Sequence, residues 1–543
     1  MKRVLVLIAL SYVFFFFGNN FLSLTDPDEV FYSLTAKEMA AHGEWMTPYI
    51  FDQPQFEKPV FTYWLLRVAF EFGGTNPFSA RFFPALFACL GVLGVYALGL
   101  LGFKDERKAF WSGVVLCTGA LYVGLGKTVF TDMVFSVFIL YSFLAFFLAY
   151  ADPRRKALGL VGFYVFAGLA VLTKGPLGLL IPQAGVILFL LYRRQLNFLY
   201  DRWTAVGLLV GAAIALPWYT AMFNKYGQDF IQEFFYNDHW RRLFQAEHKG
   251  NDRWFFYPMT MLMGTFPWTL FLGAACVALY KKLKWGLDGF EYFILSWVIA
   301  VFAAFQPAHS KLTSYILPLF PALALLTGGF IDDALASRSR VVRVSIFTVA
   351  AFMLILGIGV LFAQPLYQKY LPSSMPVYFL SALLVTMAGG MVMFVLKEKP
   401  APALGMLSLA LLPFLLTAFM IKGDLEPYVS TMTVSQYVPH YPGQKTTLLS
   451  SKPYARGLRY YTGQDITVLD INGGNYFSPH PITILTTTGQ LTDFLQRQKL
   501  TYAVLKKGGY KAVSNLPSDR FKVSLLKAVG YNYVLKIESL PAS

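Results

Sequence analysis

Acidic and basic side chains lie against the ends of long apolar runs in this sequence. Asp28, in TDPDEVFYS, follows the first apolar run, and Asp132, in FTDMVFSVFIL, precedes a later one. Three cations have similar places: Lys58 in QFEKPVF, Lys174 in LTKGPLG and Arg242 in NDHWRR. Lysine and arginine bind phosphate, and carboxylates bind a polar group next to it. Because charges at a membrane edge are costly unless paired or hydrated, the pattern indicates a site for a phosphate-bearing substrate.

Further candidates share this placement. Glu29, Lys127 and Lys311 are ionisable residues of the same kind, predicted to bind substrate. Glu57 and His239 offer a carboxylate and an imidazole, which together suit zinc, and carboxylate oxygen also suits magnesium or manganese. These two residues are therefore a candidate divalent-metal pair. The sequence shows no nucleotide-cofactor fingerprint and no nucleophile motif in its C-terminal part.

Each of these residues also has a purely structural interpretation. Asp132 and Asp28 stand at predicted helix starts, where a carboxylate caps the first N–H groups. Lys58 and Lys174 have the placement of lysines that anchor a helix by reaching the interface. Arg242 could belong to a solvated loop face. Both interpretations stay open at this stage.

The composition requires burial in lipid. Of 543 residues, 56% are hydrophobic and only 14% are charged, and the mean hydropathy is +0.51. A soluble chain carries about 25% charged residues. The net charge of +16 is spread in short clusters between apolar runs, which is the pattern of membrane topology and argues against a nucleic-acid partner. Cys89, Cys117 and Cys276 lie inside apolar runs and are interpreted as small core residues.

Thirteen apolar segments come near the ~20 residues that span a bilayer. They cover 4–22, 80–101, 109–126, 130–150, 157–174, 176–192, 204–223, 258–280, 289–306, 312–331, 343–363, 376–396 and 403–421. With the N-terminus in the cytoplasm, every predicted cytoplasmic loop is short and basic, as the positive-inside rule requires. The predicted fold class is an α-helical polytopic membrane protein with about 13 transmembrane helices, and the candidate residues fall on its outer side.

The sequence predicts a membrane domain over 1–422 and a soluble domain over 423–543. Two outer regions interrupt the membrane domain: 23–79, with helices lying along the interface, and 224–257. The C-terminal stretches TTLLSS, ITVLDI, ITILTT and YAVLKK are typical of strands, and LTDFLQRQ of a helix, which predicts a small α/β domain. A transporter is the non-enzyme alternative, but charges at one face and the lack of a repeat disfavour it.

Several stretches together resemble the bacterial aminoarabinose transferases that modify lipid A. These enzymes have the C-type glycosyltransferase fold and are relatives of the protein O-mannosyltransferases. The resemblance rests on DPDEVFYSLTAKEMAAHGEWMTPY, QFEKPVFTYWL, TDMVFS, LTKGPLG and SKLTSYILPLFPALALL, in that order between about residues 24 and 330. Each stretch alone is a weak signal, whereas the ordered set is specific.

The resemblance implies an inverting transfer of one sugar from undecaprenyl phosphate to lipid A or another periplasmic acceptor. It implies Asp28 as the principal carboxylate and Asp132 as the second. It implies Lys58, with Lys174 and Arg242 nearby, as ligands of the donor phosphate. Glu57 and His239 would hold a metal where one is present, and Tyr315 would line the cavity. The protein would lie among the lipids of the bacterial inner membrane, with its active site and C-terminus in the periplasm.

One position departs from the family pattern. The family motif has an arginine where this sequence has Phe31, so we expect either that another cation, Arg81 or Lys127, replaces it or that the donor binds in a different position. Two enzymatic alternatives stay open: a protein O-mannosyltransferase acting on Ser or Thr of secreted proteins, and an O-antigen ligase or polymerase.

Overall fold

The chain folds into two units, each assembled from segments distant in sequence. The computed structural model describes residues 1–246, 249–439, 447–471, 473 and 481–540. The first unit comprises Met1–Asn19, Lys58–Thr62 and Arg81–Met420. The second comprises Asn20–Glu57, Tyr63–Ala80 and Ile421–Ser543. The second unit therefore unites most of the first predicted outer region with the C-terminal segment.

Helices dominate the chain as far as residue 420. Those of seven or more residues with α geometry are Lys2–Ser11, Asp28–Ala41, Phe61–Gly73, Pro77–Phe103, Glu106–Cys117, Ala120–Gly126, Thr131–Ala151, Lys156–Lys174, Leu177–Tyr192, Arg202–Tyr226, Phe256–Gly264, Thr269–Leu283, Gly289–Phe305, Phe320–Ala336, Arg340–Phe362, Met375–Leu396, Pro400–Leu407 and Leu412–Met420. Tyr12–Phe16 and Ile231–Trp240 are π-helical, and Thr313–Leu319 is a 3₁₀-helix.

Many of these helices can cross a membrane. Within the described ranges, eight are long and apolar enough, and ten if each of two bent pairs is one span. The bent pairs are Glu106–Cys117 with Ala120–Gly126, and Phe256–Gly264 with Thr269–Leu283. All thirteen predicted segments are helical over most of their length. The helical multi-span class is confirmed, and the number thirteen stays a prediction.

A glycine brings two of these helices into close contact. A Cβ atom at Gly159, in Lys156–Lys174, would lie 2.5 Å from the Ala145 carbonyl oxygen in Thr131–Ala151. Membrane helices approach each other most closely where small residues meet. The contact fixes the register of these two helices. The C-terminal end of Lys156–Lys174 then lies beside the N-terminal end of Thr131–Ala151.

The second unit contains two small sheets. β1 (Tyr49–Ile50) and β2 (Gln53–Pro54) form an antiparallel pair. The larger sheet contains β3 (Thr447–Ser451), β4 (Asp465–Leu469), β5 (Ile484–Leu485), β6 (Leu500–Leu505), β7 (Phe521–Val529) and β8 (Asn532–Ser539). Its order is β5-β4-β3-β6-β8-β7, with β5, β4, β3 and β6 parallel and β8 antiparallel to both neighbours. Helices Ala455–Thr462, Thr488–Gln496 and Lys507–Ser514 alternate with the parallel strands.

The sheet carries its own apolar core. Leu449 of β3, Leu505 of β6 and Leu535 of β8 pack with Leu491 and Leu495 of the Thr488–Gln496 helix, and all five are buried. Strands are present in all four predicted stretches, and the predicted helix is present as well. The location of this segment in the periplasm stays a prediction.

Asp26 links the first outer region to the C-terminal segment inside the second unit. Its carboxylate accepts a hydrogen bond from the Thr431 N–H at 2.7 Å, and its own N–H donates to the Val429 carbonyl at 2.9 Å. A Cβ atom at Gly457 would lie 2.1 Å from the same carboxylate. Burial raises the pKa of Asp26 to about 7, although hydrogen bonds from Thr431 oppose the rise.

We expect Asp26→Asn to make the stability of the folded protein depend less on pH. Below about pH 4 the carboxyl is protonated in both the folded and the unfolded chain. Between about pH 4 and pH 7 only the folded chain keeps the proton, so the stability falls as pH rises and the loss is complete above pH 7. Asparagine has no proton to lose. The apparent melting temperature of the variant in detergent should therefore exceed that of the wild type at about pH 8 and converge with it near pH 4. Parallel curves of melting temperature against pH would contradict this.

Candidate active site

Asp132 and Lys174 form a buried ion pair where two helices meet. Asp132 lies in the first turn of Thr131–Ala151, and Lys174 is the last residue of Lys156–Lys174. The Lys174 Nζ lies 2.5 Å from the Asp132 Oδ1, and the two side chains are 10% and 4% exposed. Each charge also matches the dipole of its helix end. The N-cap residue of the Thr131–Ala151 helix has no side-chain hydrogen bond, and Asp132 is held by Lys174 instead of acting as a cap.

A second buried carboxylate, Asp238, pairs with two cations. The Lys58 Nζ lies 2.6 Å from its Oδ2, and the Arg242 Nη2 lies 3.0 Å from its Oδ1. Asp238 stands on the π-helix Ile231–Trp240, a rare geometry that is frequent at functional sites. Burial alone would raise the pKa of Asp238, but the charges of Arg242 and Lys58 outweigh it and hold the pKa well below its usual range. Asp238 is therefore ionised.

Tyr315 connects the two ion-paired groups. Its hydroxyl accepts a hydrogen bond from the Arg242 Nη1 at 2.7 Å. The Lys174 Nζ lies 4.2 Å from the centre of its ring, within the range of a cation–π contact. One tyrosine therefore joins the Asp132–Lys174 pair to the Asp238 group. We name these six residues the paired cluster: Lys58, Asp132, Lys174, Asp238, Arg242 and Tyr315.

The paired cluster brings three cations together with two carboxylates. Lys58 and Lys174 are both buried and bonded to carboxylates, so neither is a lysine reaching outward to the interface, and Arg242 is not part of a solvated face. Cations fixed in place this way can stabilise a phosphate anion or a leaving group that becomes negative.

His239 lies next to this cluster, and both of its ring nitrogens have protein neighbours. Its Nδ1 donates to the Phe234 carbonyl at 2.7 Å, and a Cβ atom at Gly175 would lie 2.6 Å from its Nε2. Burial lowers the pKa of His239, so the ring is neutral. In the described parts of the chain no three His, Cys, Asp or Glu side chains meet in a metal-binding group. The metal at Glu57 and His239 stays a prediction, and nothing below depends on it.

Arg81 and Lys127 meet at Asn19. The Arg81 Nη1 donates to the Asn19 carbonyl at 3.0 Å, and the Lys127 Nζ lies 3.1 Å from the Asn19 Oδ1. The Lys127 ammonium also donates to the Phe17 carbonyl at 2.7 Å. Both predicted cations are thus held together by backbone and amide oxygens.

Lys311 belongs to a third group of charges. Its Nζ lies 3.3 Å from Asp252 Oδ1, and the His309 Nδ1 lies 2.8 Å from Asp252 Oδ2. This ion pair lowers the pKa of Asp252, chiefly through the hydrogen bond from His309. The geometry gives Lys311 a role in fixing the loop before Thr313–Leu319, and its predicted contact with substrate stays a prediction.

The remaining predicted residues belong to the second unit. Asp28 is exposed in the first turn of the Asp28–Ala41 helix. Glu29 is fully buried, and its carboxylate accepts hydrogen bonds from the Thr25 N–H and hydroxyl at 3.0 and 2.9 Å. Glu57 pairs with Arg456, whose Nη2 lies 3.4 Å from its Oε1. Glu29 and Glu57 thus have structural partners, while their predicted functions stay predictions.

Arg456 is a residue that the sequence did not single out. Its guanidinium carbon lies 4.4 Å from the centre of the Phe31 ring. A cation from the C-terminal segment therefore contacts the residue that departs from the family motif. The replacement of the motif arginine by Arg81 or Lys127 stays a prediction. No local pattern marks Arg456. Asp238, in contrast, stands four residues before Arg242, a helical spacing that predicts a pair.

Known proteins resemble this chain in sequence. The family described as dolichyl-phosphate-mannose-protein mannosyltransferase matches residues 57–220. The undecaprenyl phosphate-α-4-amino-4-deoxy-L-arabinose arabinosyl transferase of Shewanella sediminis is 30% identical over 415 residues, 75% of this chain and 73% of that protein. The corresponding transferase 2 of Pseudomonas fluorescens is 28% identical over 416 residues, 74% and 69% of the two chains.

A solved structure shares the fold over nearly the whole chain. The crystal structure of ArnT from Cupriavidus metallidurans bound to undecaprenyl phosphate superposes with a TM-score of 0.79, covers 98% of both chains and is 20% identical. The fold and the sequence relatives define a membrane glycosyltransferase. The chain belongs to the family of the undecaprenyl phosphate-aminoarabinose arabinosyl transferases.

We expect the Asp132–Lys174 pair to show strong coupling in a double-mutant cycle. Asp132→Asn and Lys174→Met each leave one buried charge without its partner, which costs about 3–5 kcal/mol. The double variant removes both charges and should recover most of that loss. The stability losses of the two single variants and the double variant are compared through their apparent melting temperatures, measured in the same detergent. Additive losses would show that the two residues do not depend on each other.

Proposed function

We propose that this enzyme transfers one 4-amino-4-deoxy-L-arabinose from undecaprenyl phosphate to a phosphate of lipid A, with inversion at the anomeric carbon. The paired cluster is the observation that carries the proposal, because it holds three buried cations in fixed positions. The names of the relatives from Shewanella sediminis and Pseudomonas fluorescens support the donor and the sugar. The acceptor rests on the family resemblance.

In the proposed reaction an oxygen of the acceptor phosphate attacks the anomeric carbon of the sugar. A new carbon–oxygen bond forms, the bond to undecaprenyl phosphate breaks, and its electron pair leaves with the phosphate oxygen. Negative charge therefore grows on the leaving group. Lys58, Lys174 and Arg242 would stabilise that charge, and Tyr315 would keep the Lys174 and Arg242 side chains in place. Because phosphate is a good leaving group, the step needs little acid catalysis.

The role of Asp28 depends on the acceptor. A hydroxyl acceptor must lose a proton, and Asp28 would then be the general base. A lipid A phosphate is already anionic, and Asp28 would instead orient the donor sugar through its amino group. Asp132 is the second carboxylate of the proposal, and its tight pairing with Lys174 suits a positioning role.

The proposed enzyme lies in the bacterial inner membrane with thirteen spans. Its N-terminus is in the cytoplasm, and its active site and C-terminal domain are in the periplasm. The basic loops that alternate along the sequence support this orientation, and the apolar helices support the location. An acceptor in the outer leaflet would then meet the donor on the same side of the membrane.

The proposed donor and acceptor can be tested together by mass spectrometry of lipid A. Cells that express the gene should carry lipid A heavier by one aminopentose residue per modified phosphate, and cells without it should lack that increment. One rival has support, since the matching family is described as a protein mannosyltransferase. If lipid A is unchanged while intact secreted proteins gain a hexose, the rival is correct and our proposal is wrong.

We expect Asp28→Asn to lower the transfer rate by about 100-fold, the size of loss expected when a reacting group is no longer held in the right orientation. The rate is measured with the enzyme reconstituted in membranes with donor and lipid A, and the melting temperature of the same preparation reports whether the variant is folded. Asp519→Asn is the matched control, since Asp519 is a 76% exposed carboxylate of the C-terminal segment. A near-normal rate for Asp28→Asn would remove Asp28 from the mechanism.

A further inference from the structure

A cavity lies between two basic turns of the first unit. One turn follows the helix Phe320–Ala336, and the other follows the helix Met375–Leu396. The cavity has a volume of about 230 Å³, and its polar lining residues are Arg338, Ser339, Arg343 and Glu398. We name it the basic cavity, because residues 337–343 and 397–400 contain five arginines and lysines but only one carboxylate, Glu398.

The single carboxylate does not bind its arginine tightly. The Arg343 Nη2 lies 3.6 Å from the Glu398 Oε1, and the two side chains are 58% and 78% exposed. Exposed ion pairs of this kind contribute little stability. Phosphate accepts two parallel hydrogen bonds from a guanidinium group and binds it more strongly. An anion that enters the basic cavity can therefore compete with Glu398 for Arg343.

Two of the lining residues have a backbone conformation that favours glycine. Arg338 has a φ of +50° and Glu398 a φ of +56°, and each follows the end of a helix, where glycine is the usual residue. A residue that departs from the local preference indicates that its side chain has a use. A cation after a helix end also offsets the helix dipole. Arg194, at φ +53° after Leu177–Tyr192, has that placement without lining the basic cavity, and it serves as the comparison below.

An apolar crevice continues from the basic cavity. It has a volume of about 270 Å³ and shares Ala334 and Ser339 with the basic cavity. From Ala334 it follows the helix Phe320–Ala336 back to Leu326, which is about 12 Å along the axis. Its other apolar lining residues include Phe103, Ala275, Ala278, Leu279, Ile294 and Phe330. A polar cavity with an apolar crevice behind it suits an amphiphile.

The charges that line the apolar crevice are paired within the protein. The Lys108 Nζ lies 2.7 Å from the Asp333 Oδ1, and the Lys282 Nζ lies 2.6 Å from the Glu291 Oε1. The cations that remain for an anionic head group are those of the basic cavity. The phosphate of an amphiphile would therefore bind there, with its apolar chain in the crevice.

Both cavities lie far from the paired cluster. The helix Phe320–Ala336 has 17 residues and is therefore about 25 Å long. Tyr315 of the paired cluster precedes its start, and the basic cavity lies at its end. On the predicted topology this end faces the cytoplasm, where anionic phospholipids attract basic segments and bind in basic pockets between helices.

We propose that the basic cavity and the apolar crevice together bind one anionic phospholipid of the cytoplasmic leaflet. Arg338 and Arg343 bind its phosphate diester, and one acyl chain lies in the crevice. This lipid is a bound component of the enzyme and neither donor nor acceptor, so the inference does not depend on the proposed reaction.

Native mass spectrometry of the purified enzyme, without donor or acceptor, tests the proposal. Dioleoyl phosphatidylglycerol and dioleoyl phosphatidylcholine are added in equal amounts. The wild type should retain one phosphatidylglycerol in preference to phosphatidylcholine. Arg338→Gly and Arg343→Gln should each lower the affinity for phosphatidylglycerol by about 10-fold or more, the loss expected for a hydrogen bond to a charged group. Ala278→Phe fills the crevice and should also weaken binding.

Arg194→Gly is the matched control, since it removes an exposed arginine from the same backbone conformation on the same predicted side of the membrane. It should bind phosphatidylglycerol as the wild type does. Glycine suits a positive φ, so neither glycine variant should melt at a lower temperature without lipid. Added phosphatidylglycerol should raise the melting temperature of the wild type and of Arg194→Gly, but not that of Arg338→Gly.

Three results would overturn the proposal. If Arg338→Gly keeps the preference for phosphatidylglycerol, or if Arg194→Gly loses it equally, the preference comes from the general positive charge of this side. If inorganic phosphate displaces the lipid at equal concentration, the ligand is a soluble anion and not a phospholipid. If Ala278→Phe binds phosphatidylglycerol as tightly as the wild type, the acyl chain does not lie in the crevice.

Discussion

The active site depends on burying charges that only remain buried because each contacts an opposite charge. Removing an ammonium or a carboxylate from water costs several kcal/mol, and a partner in good geometry offsets that cost. Lys174 with Asp132, and Lys58 and Arg242 with Asp238, meet this condition at 2.5 to 3.0 Å. The close helix contact at Gly159 sets the register in which Lys174 reaches Asp132. The π-helix Ile231–Trp240 carries Asp238, which binds Lys58 and Arg242. Packing between helices therefore determines whether these groups can stay charged while they are buried.

The cations of the first unit are held in two different ways. In the paired cluster, Asp132 and Asp238 fix Lys58, Lys174 and Arg242 in place, and fixed cations suit a leaving group whose negative charge grows during the reaction. At Asn19, the backbone carbonyl and the side-chain amide oxygen accept hydrogen bonds from Arg81 and Lys127. Preorganised charge that needs little reorganisation favours a transition state over the ground state.

The sequence allowed the helical class and most of the paired cluster to be predicted, because long apolar runs and charges at their ends are local patterns. Lys58, Lys174 and Arg242 were all found in this way, and so was Asp132. Local patterns do not show which residues are in contact when they lie hundreds of positions apart in the sequence. The pairing of Lys58 with Asp238, the hydrogen bonds of Asn19, and the contact of Arg456 with Phe31 depend on tertiary contacts. The replacement of the motif arginine by Arg81 or Lys127 stays a prediction.

Arg456 and Thr431 also set an order of events during biosynthesis. The ribosome synthesises Asp26, Phe31 and Glu57 several hundred residues before it synthesises their partners in the C-terminal segment. Until then the first outer region cannot make the contacts that hold it in its final conformation. A nascent or truncated chain lacking the last 120 residues or so would therefore fold its helices and still lack the hydrogen bond at Asp26, the ion pair of Glu57 with Arg456 and the contact of Arg456 with Phe31.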